Sequence, residues 1–326
     1  MPQAQPHAPQ RAVITGAAGF IGSHLAEALL AAGTTVIGVD RRDHYDPRAA
    51  ANLARILDHP AYIHVTADLL TCAVEPLLLD ADAVFHLAGI PGVRPSWGPE
   101  FSDYVGSNIL ATQRVMTAAT TMRVPRLVVA SSSSVYGPTD GTPSAENDPT
   151  RPASPYAVTK LAEEQLCLAH ATRPGSPTTV VALRYFTVYG PRQRPDMFIH
   201  RALNAALAGT PLRLYGDGHQ QRDFTYIDDV VTATIAAASP QAPGGVVNVG
   251  GGTGATLRDI IRSAQELSGR PIEIQAHTTR NGDVPVTRAD LARARRLLGY
   301  RPTVDLTTGM SRQLAALTHV TAAISS

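Results

Sequence analysis

The sequence predicts an α/β fold: a doubly wound parallel sheet with a smaller, discontinuous C-terminal domain. Short apolar runs rich in β-branched residues alternate with alanine- and leucine-rich segments of helical length. Glycines and polar residues follow the ends of several of these runs, and prolines and glycines interrupt the pattern after Tyr189. The 326 residues, 44% of them hydrophobic, are enough to build a packed core.

Composition argues against several classes of function. The formal net charge of +1, without a long basic run, argues against nucleic acid as a partner. Two cysteines, Cys72 and Cys167, are too few for a disulfide framework or a metal site, so we expect no metal and a cytoplasmic location. Residues 1–10 lack the features of a signal peptide and are predicted to be a disordered tail. No apolar run is long enough to span a bilayer, so no membrane association is expected.

The first strand–helix–strand unit occupies the start of the chain. Residues 11–15 are predicted to form a buried parallel strand, and residues 23–33 a helix closed by Gly33. Residues 35–40 give a second strand, which ends in an acid, Asp40. A glycine turn between the first strand and the helix completes the order that a dinucleotide-binding unit requires.

Each glycine of that turn has an expected role. Gly16 makes the tight turn, Gly19 lets the backbone approach a pyrophosphate, and Gly22 lets the helix lie close to the sheet. The pyrophosphate then lies against N–H groups at the helix N-terminus. The alternative is a structural glycine turn without a cofactor.

The acid after the second strand bears on which dinucleotide is bound. The Asp40 carboxylate is placed to accept hydrogen bonds from the adenosine ribose hydroxyls, and it would repel a 2′-phosphate. NAD is therefore favoured over NADP. Arg41 and Arg42 follow directly and weaken this preference, since an arginine there can accommodate the phosphate.

Further elements continue the alternation of strands and helices. Strands are predicted at 62–65, 83–88, 126–130 and 180–185, and helices at 101–120 and from Pro155 onward. Ligands of such sheets lie beyond the C-terminal strand ends. The polar residues that collect there are Asp68, Gly89, Ser131 to Ser134 and Thr187.

In the later part of the chain, prolines and glycines interrupt the alternation of strands and helices. A helix at 229–238 and a strand at 246–249 are predicted, followed by helices at 257–267 and 291–298. We expect a cofactor-binding domain at 11–188 plus about 229–250, and a substrate-binding domain at 189–228 and 251–326.

Tyr156 and Lys160 are one helical turn apart, on the same face of the helix that Pro155 opens. A free tyrosine, with a pKa of about 10, is a poor base at neutral pH. A lysine ammonium one turn away and a positive nicotinamide ring stabilise the phenolate. The pair therefore favours removal of a hydroxyl proton while hydride leaves the same carbon. The alternative is a surface pair on an amphipathic helix.

The chain resembles the extended short-chain dehydrogenases/reductases, in the NAD-dependent epimerase/dehydratase group, from about Val13 to Pro302. The matching motifs are Thr-Gly-Ala-Ala-Gly-Phe-Ile-Gly at 15–22, His-Leu-Ala-Gly at 86–89, Ser-Ser-Ser-Val-Tyr-Gly at 132–137, the Tyr156/Lys160 pair, Gly-Asp-Gly-His-Gln-Gln-Arg-Asp-Phe at 216–224 and Gly-Asp-Val-Pro at 282–285. The resemblance implies a Rossmann sheet that binds NAD and a second domain that binds a UDP-sugar.

The resemblance also implies roles for individual residues. The catalytic residues are Tyr156, Lys160, Ser132 and Asn108. The NAD-binding residues are Gly16, Gly19, Phe20, Ile21, Gly22, Asp40, Arg41, Asp68, Leu69, Leu87, Ala88, Gly89, Tyr156, Lys160, Tyr185 and Val188. The substrate-binding residues are Arg94, Ser132, Ser133, Ser134, Tyr156, Thr187, Arg194, Arg222, Arg280 and Asp283.

Departures from the motifs of related groups narrow the reaction. Dehydratases of the family carry an Asp-Glu pair where this chain has Ser133 and Ser134, and its decarboxylases usually place a glutamate at the second position. UDP-galactose/glucose epimerases tend to have asparagine where this chain has Thr187. Residues 184–197 resemble the UDP-glucuronate 4-epimerases, and so does the loop at 86–94, although its Gly-Ile-Pro departs from the commoner Ala-Gln-Ala.

The expected reaction is the conversion of UDP-glucuronic acid to UDP-galacturonic acid through a transient 4-keto sugar, with no net redox change. UDP-glucose/galactose epimerisation, UDP-glucuronate decarboxylation and a non-catalytic NAD-sensing regulator stay open as alternatives. The resemblance also implies a homodimer built from the helix at 101–120 and the helix carrying Tyr156. Apolar residues at Val105, Ile109, Ala162 and Leu166 are compatible with that dimer and with ordinary burial.

Overall fold

The computed structural model describes residues 8–278 and 284–324. Most of the predicted N-terminal tail therefore lies outside the described residues. Its last three residues, 8–10, lie against the rest of the protein: Thr34 Oγ1 donates to the carbonyl oxygen of Pro9 (2.7 Å), and the Thr35 N–H donates to that of Gln10 (2.8 Å). Within the described part of the chain, no helix has the length and apolarity needed to cross a membrane.

The strands lie close to the sequence expectation in the first half of the chain. In chain order they are β1 (Arg11–Thr15), β2 (Thr35–Asp40), β3 (Tyr62–Thr66), β4 (Ala83–His86), β5 (Arg126–Ser132), β6 (Thr179–Tyr185), β7 (Thr187–Tyr189), β8 (Leu212–Tyr215), β9 (Gln221–Tyr226), β10 (Gly245–Val249), β11 (Gly254–Thr256) and β12 (Ile274–His277).

The α-helices connect these strands. They are α1 (Phe20–Ala31), α2 (Pro47–Leu53), α3 (Phe101–Tyr104), α4 (Ala111–Thr121), α5 (Pro155–Ala171), α6 (Phe198–Ala208), α7 (Ile227–Ala237), α8 (Leu257–Ser268), α9 (Ala292–Leu298) and α10 (Leu306–Ile324). A π-helical segment, Val105–Leu110, joins α3 to α4.

A seven-stranded sheet forms the centre, in the order β10-β6-β5-β4-β1-β2-β3. All of its neighbouring strands run parallel. Alternate side chains of its strands point to opposite faces. Ile14, for example, packs into the core shared with α1 and α7, whereas Val13 packs into the core shared with α4 and α5. The predicted doubly wound parallel sheet is confirmed.

Two smaller sheets lie in the region where the sequence pattern changes. One has the order β11-β9-β7, with β9 antiparallel to β11 and parallel to β7, and the other pairs β8 with β12. Helices α6, α8 and α10 accompany them. The sequence analysis left α2, α6 and α10 unassigned, together with the strands β7, β8, β9, β11 and β12.

The long helix predicted from Phe101 is helical throughout, but it is not one regular α-helix. The π-helical segment interrupts it at Val105–Leu110 and contains the fully buried Asn108. Segments of this kind inside α-helices often occur at functional sites. The sequence pattern contained no signal for this change in helix type.

Candidate functional site

The glycine turn after β1 is a tight connection that excludes side chains. Gly16 has a φ of +73°, and a Cβ atom there would lie 2.8 Å from the backbone nitrogen of Ala88. Its N–H donates to the carbonyl oxygen of Val39 on the neighbouring strand (2.8 Å). Glycine alone fits this position without strain, so the turn holds an open backbone surface between β1, β2 and β4.

Helix α1 starts against that turn. Gly19 is its N-cap and makes no side-chain hydrogen bond to the first turn, which consists of Phe20, Ile21 and Gly22. A Cβ on Gly22 would overlap the carbonyl oxygen of Gly16. The close approach aims the N-terminal N–H groups of the helix toward the turn, where they suit an anion such as a pyrophosphate.

Asp40 ends β2 beside the same turn, and its carboxylate is held from two sides. The Ala18 N–H donates to Oδ2 (3.1 Å) and the Arg42 N–H to Oδ1 (3.0 Å). Each oxygen keeps a second lone pair for a ligand hydroxyl. The residues lining this cleft at the ends of β1 to β4 are Gly16, Gly19, Val39, Asp40, Arg41, Arg42, Ala67, Asp68, Leu69, Leu70, Leu87, Ala88, Gly89, Ile90, Ser107 and Ala111.

The cleft fits a dinucleotide on the grounds of its own geometry. Its glycine turn leaves no room for a Cβ at Gly16, its helix N-terminus suits a diphosphate, and Asp40 retains acceptors for a ribose. The structure brings nine of the predicted NAD-binding residues to this one cleft. Two of the others, Tyr185 and Val188, are instead buried in the core, where the Tyr185 hydroxyl lies 2.8 Å from Thr234 Oγ1.

Tyr156 and Lys160 lie on α5, whose start is fixed by its sequence. Ser154 caps the helix by accepting a hydrogen bond from the Ala157 N–H (3.1 Å), and Pro155 occupies the first turn. The Tyr156 N–H donates to Ser96 Oγ (3.1 Å), and its ring meets the ring of Tyr104 edge-on at 6.2 Å. Tyr156 is half-buried, whereas Lys160 is buried.

Asn108 does not present a free amide to a substrate. Its Oδ1 accepts from the Ile90 N–H (2.7 Å), and its Nδ2 donates to the Ile90 carbonyl oxygen (3.1 Å) and to Thr159 Oγ1 (3.0 Å). Thr159 in turn donates to the carbonyl oxygen of Tyr156 (2.8 Å). The expected catalytic asparagine is therefore a positioning residue that ties α5 to the loop after β4.

A buried histidine extends this network, although the sequence analysis gave it no role of its own. His86 Nδ1 lies 2.7 Å from Thr15 Oγ1, and its Nε2 lies 2.9 Å from Thr112 Oγ1. Thr112 donates its proton to the carbonyl oxygen of Asn108 (2.7 Å), so it must accept from His86 Nε2–H. Burial, with a smaller contribution from the charge of Lys160, lowers the pKa of His86 to about 3, so this histidine is neutral.

The serine cluster follows β5 directly. The Ser134 N–H (3.2 Å) and the Ser134 hydroxyl (2.8 Å) both donate to Ser132 Oγ. These two bonds occupy the lone pairs of that oxygen, which leaves the O–H of Ser132 to donate to a ligand. Ser132 pairs with Tyr185 in the sheet register, so the serine run starts at the level of a residue two positions before Thr187. Ser133 and Thr187 are both half-buried.

Arg194 approaches the same region from the segment after β7. It makes two hydrogen bonds to Asp196, at 2.9 and 2.7 Å. Burial opposes its charge, but the bonds to Asp196, together with Tyr156 and Tyr104 nearby, raise the pKa of Arg194 above its usual value. The guanidinium is therefore paired with the exposed Asp196 and interacts electrostatically with the two tyrosines.

The other predicted substrate residues are more widely spread. The Arg94 guanidinium stacks 4.7 Å from the ring centre of Tyr215, at the end of β8, and Arg222 donates to the carbonyl oxygens of Gln221 (2.9 Å) and Pro285 (3.3 Å). Arg280 and Asp283 lie outside the described residues. Sequence reasoning missed Ser96, Tyr104 and Asp196, which surround Tyr156 and Arg194. Ser96 and Tyr104 lie outside the matching motifs, whereas Asp196 lies within the stretch 184–197 that resembles the UDP-glucuronate 4-epimerases, two residues after a predicted arginine.

The chain is similar to several known proteins over nearly its whole length. A sequence model of the NAD dependent epimerase/dehydratase family matches residues 12–250. An uncharacterized UDP-glucose epimerase named YtcB, from Bacillus subtilis (strain 168), is 42% identical over 94% of this chain and 97% of its own. MoeE5 in complex with UDP-glucuronic acid and NAD is 43% identical, covers 95% of this chain and 99% of its own, and superposes with a TM-score of 0.88.

A third relative comes from another bacterium. The UDP-glucuronic acid 4-epimerase from Bacillus cereus, in complex with UDP-glucuronic acid and NAD, is 39% identical over 95% of this chain and 99% of its own, with a TM-score of 0.90. The matched range of the family model contains both the glycine turn and the Tyr156/Lys160 pair. This chain therefore belongs to the NAD-dependent epimerase/dehydratase family.

Proposed function

We propose that this nucleotide-sugar 4-epimerase converts UDP-glucuronic acid to UDP-galacturonic acid, without net oxidation and with NAD kept bound throughout. The observation that carries the proposal is the pairing of Ser132 with Tyr185, because the run of three serines then starts at the level of a residue two positions before Thr187. Hydroxyl groups clustered at one strand edge suit a carboxylate, because each can donate a charge-assisted hydrogen bond to it.

NAD, when bound in the cleft of Gly16 and Asp40, supplies reversible hydride transfer with C4 of the sugar. Side chains of the protein transfer the proton of the sugar hydroxyl. The Tyr156 phenolate, which the Lys160 ammonium one turn away stabilises, takes the proton of the 4-hydroxyl group and becomes a neutral phenol. Ser132 is placed to donate its free O–H to the sugar oxygen.

The carboxylate must be restrained because a 4-keto uronic acid is a β-keto acid. It loses carbon dioxide readily when the bond from C5 to the carboxylate aligns with the π system of the ketone. Hydrogen bonds from the hydroxyls of Ser133 and Thr187 to the carboxylate oppose that alignment, while the Ser134 hydroxyl is bonded to Ser132. The serine at 134 also lacks the acidic group that decarboxylases of the family usually place there.

Arg194 acts on the sugar itself, either on its carboxylate or on its rotation between the two hydride transfers. Its guanidinium makes two bonds to Asp196 and interacts electrostatically with Tyr156 and Tyr104. From that position it supports the negative charge of the uronic acid or guides the turn of the keto sugar about its phosphate linkage. The second face of C4 must be presented before the product can form.

UDP-glucose is the competing substrate, because YtcB, which is 42% identical to this chain, is named as a UDP-glucose epimerase. Decarboxylation of UDP-glucuronic acid is a third outcome. Non-catalytic NAD sensing is a fourth, and the presence of Tyr156, Lys160 and Ser132 argues against it.

The test is to incubate the purified protein separately with UDP-glucuronic acid and UDP-glucose, with and without added NAD, and to identify the products by proton NMR. UDP-galacturonic acid without accumulation of NADH supports the proposal. Conversion of UDP-glucose alone would reject the substrate assignment, and a UDP-pentose would favour the decarboxylase. No turnover, with wild type and Tyr156→Phe indistinguishable, would favour the regulator.

A matched pair of variants tests the hydroxyl cluster itself. Thr187→Val removes one hydroxyl while keeping the shape of the side chain, and Thr187→Ser keeps the hydroxyl. We expect the valine variant to release more carbon dioxide per epimerisation than the serine variant. Equal partition in the two variants would contradict a role of Thr187 in holding the carboxylate.

We also propose a homodimer, as the family resemblance implies. Four large apolar side chains beside α4 and α5 are exposed: Trp97 (54%), Phe101 (39%), Leu110 (53%) and Val158 (48%). Val105, Ile109, Ala162 and Leu166 are half-buried on the same two helical regions. Light scattering after size exclusion should give twice the mass of the chain, and Val158→Glu should reduce it to that of one chain.

A further inference from the structure

Glu163 is a buried acid one turn beyond Lys160 on α5. Its side chain is 0% exposed, and its Oε2 accepts a hydrogen bond from the Lys160 ammonium. Its other oxygen, Oε1, has no hydrogen-bond partner among the described residues. A buried carboxylate with one unsatisfied oxygen is costly, so its position beside the lysine calls for a functional reason.

Among the described residues, no cation other than Lys160 forms an ion pair with Glu163. The neighbouring Glu164 accepts two hydrogen bonds from Arg184, at 2.9 and 2.7 Å, and one from the Ser131 hydroxyl at 2.6 Å. Lys160 is therefore the cation that Glu163 contacts directly.

In the part of the chain that the structure describes, the remaining titratable groups around the pair carry no positive charge. Burial raises the pKa of the Cys167 thiol, so it stays neutral, and His86 on β4 is neutral as well. Tyr156 is the other titratable partner on α5. The local balance is thus one ammonium between a carboxylate and a phenol.

We propose that Glu163 is a positioning residue that anchors the Lys160 ammonium and offsets part of its charge, thereby setting the pH at which the Tyr156 phenolate forms. The inference rests on the proposed function only in taking Tyr156 and Lys160 as the proton-transfer pair. It holds whichever UDP-sugar is the substrate.

The protonation of the pair supports this geometry. Burial raises the pKa of Glu163 to about 7, although Lys160 acts in the opposite direction. Burial disfavours the charge on Lys160, but Glu163 and Tyr156 outweigh it and raise the pKa of Lys160. The lysine therefore stays charged while the acid partner titrates near neutral pH.

The expected magnitude follows from the helix. Seven residues separate Tyr156 from Glu163, which is about 10 Å of rise. A unit charge at that distance, in an effective dielectric constant of about 20, changes a phenol midpoint by about one pH unit. Removing the carboxylate should make the phenolate easier to form, and so shift its midpoint downward.

The experiment is an ultraviolet titration of phenolate absorbance in the NAD-free protein, with Tyr156→Phe subtracted to isolate Tyr156. Glu163→Gln removes the charge and keeps the size, while Glu163→Asp keeps the charge as the matched control. We expect the glutamine variant to lower the midpoint by about one pH unit and the aspartate variant to shift it by much less.

An unchanged or raised midpoint in Glu163→Gln would overturn the proposal. Glu163→Ala serves the same test if the glutamine variant does not fold, with the same downward shift expected. In turnover assays the acid limb of the kcat profile should move with the absorbance midpoint. Failure to turn over UDP-glucuronic acid would count against the proposed substrate, while the NAD-free titration would still decide the role of Glu163.

Discussion

Acidification should destabilise this protein in part through the buried histidine His86. His86 is fully buried and neutral, with both ring nitrogens bonded to threonine hydroxyls, and burial lowers its pKa to about 3 from 6.5. Between pH 6.5 and pH 3, His86 is protonated in the unfolded chain and stays neutral in the folded protein. The contribution of neutral His86 to stability is therefore present in full above pH 6.5 and is lost progressively as the pH falls toward 3.

The two pKa values set the magnitude. Between pH 7.5 and pH 5, linkage gives a loss of about 2 kcal/mol in the free energy of unfolding from His86 alone. The comparison variant is His86→Gln, which keeps a hydrogen-bonding side chain but cannot titrate. Other acid-sensitive groups are common to both proteins, so they cancel in the difference between them.

Urea titrations followed by circular dichroism at several pH values measure this difference. The stability gap between wild type and His86→Gln should narrow by about 2 kcal/mol on going from pH 7.5 to pH 5. Parallel pH dependence in the two proteins would refute the reasoning, because it would mean that His86 titrates normally in the folded state.

Three further predictions concern NAD binding in the cleft, the ion pair that Arg192 makes with Glu27, and the proton transfer by Tyr156. Gly16→Ala should weaken NAD binding roughly tenfold or more by calorimetry, because a Cβ meets the Ala88 backbone at 2.8 Å and φ is +73°; an unchanged Kd would contradict this. Arg192→Ala should lower the free energy of unfolding by about 1–3 kcal/mol in urea, since it loses both hydrogen bonds to Glu27 (2.8 and 3.1 Å), and Glu27→Gln should cost less. Tyr156→Phe should lower kcat by about 10²–10⁴-fold in the NMR assay; retention of more than a tenth of the wild-type rate would remove Tyr156 from the proton transfer.

The central sheet was predictable because its strands are buried on both faces. Such strands read as continuous apolar runs, and β1 and β2 begin and end at the predicted residues. The glycine turn and Asp40 were predictable for a related reason: parallel strands deliver their carboxyl ends to one edge. The structure accordingly lines one cleft with residues that are far apart in the sequence, such as Gly16, Asp68 and Gly89.

The region after Tyr189 was harder to interpret from sequence. Helix α6 (Phe198–Ala208) begins shortly after a stretch with two prolines. The strands β7, β8 and β9 are only three to six residues long, which is too short for a clear sequence pattern. Arg192 has a left-handed φ of +64°, a conformation that is uncommon for arginine and could not be predicted from its residue type. Its bonds to Glu27 and to the Asn52 carbonyl oxygen (2.8 Å) hold this segment against the cofactor side of the protein, and such contacts exist only in the tertiary structure.

Buried polar groups explain why motif positions alone do not describe this site. The Ala88 N–H donates to Thr15 Oγ1 (3.2 Å), and this hydroxyl bonds His86. His86 leads through Thr112 to the backbone of Asn108, whose amide bonds Thr159 beneath Tyr156.

This chain of hydrogen bonds joins the strand before the glycine turn to the helix that carries the proton-transfer pair. Each member is satisfied only because the others are in place, since an unpaired polar group in this interior would cost about 1–3 kcal/mol. The cofactor cleft and the proton-transfer pair are thus parts of one hydrogen-bonded interior. Replacement of His86 or Asn108 should therefore disturb both NAD affinity and turnover, although neither residue needs to touch the substrate.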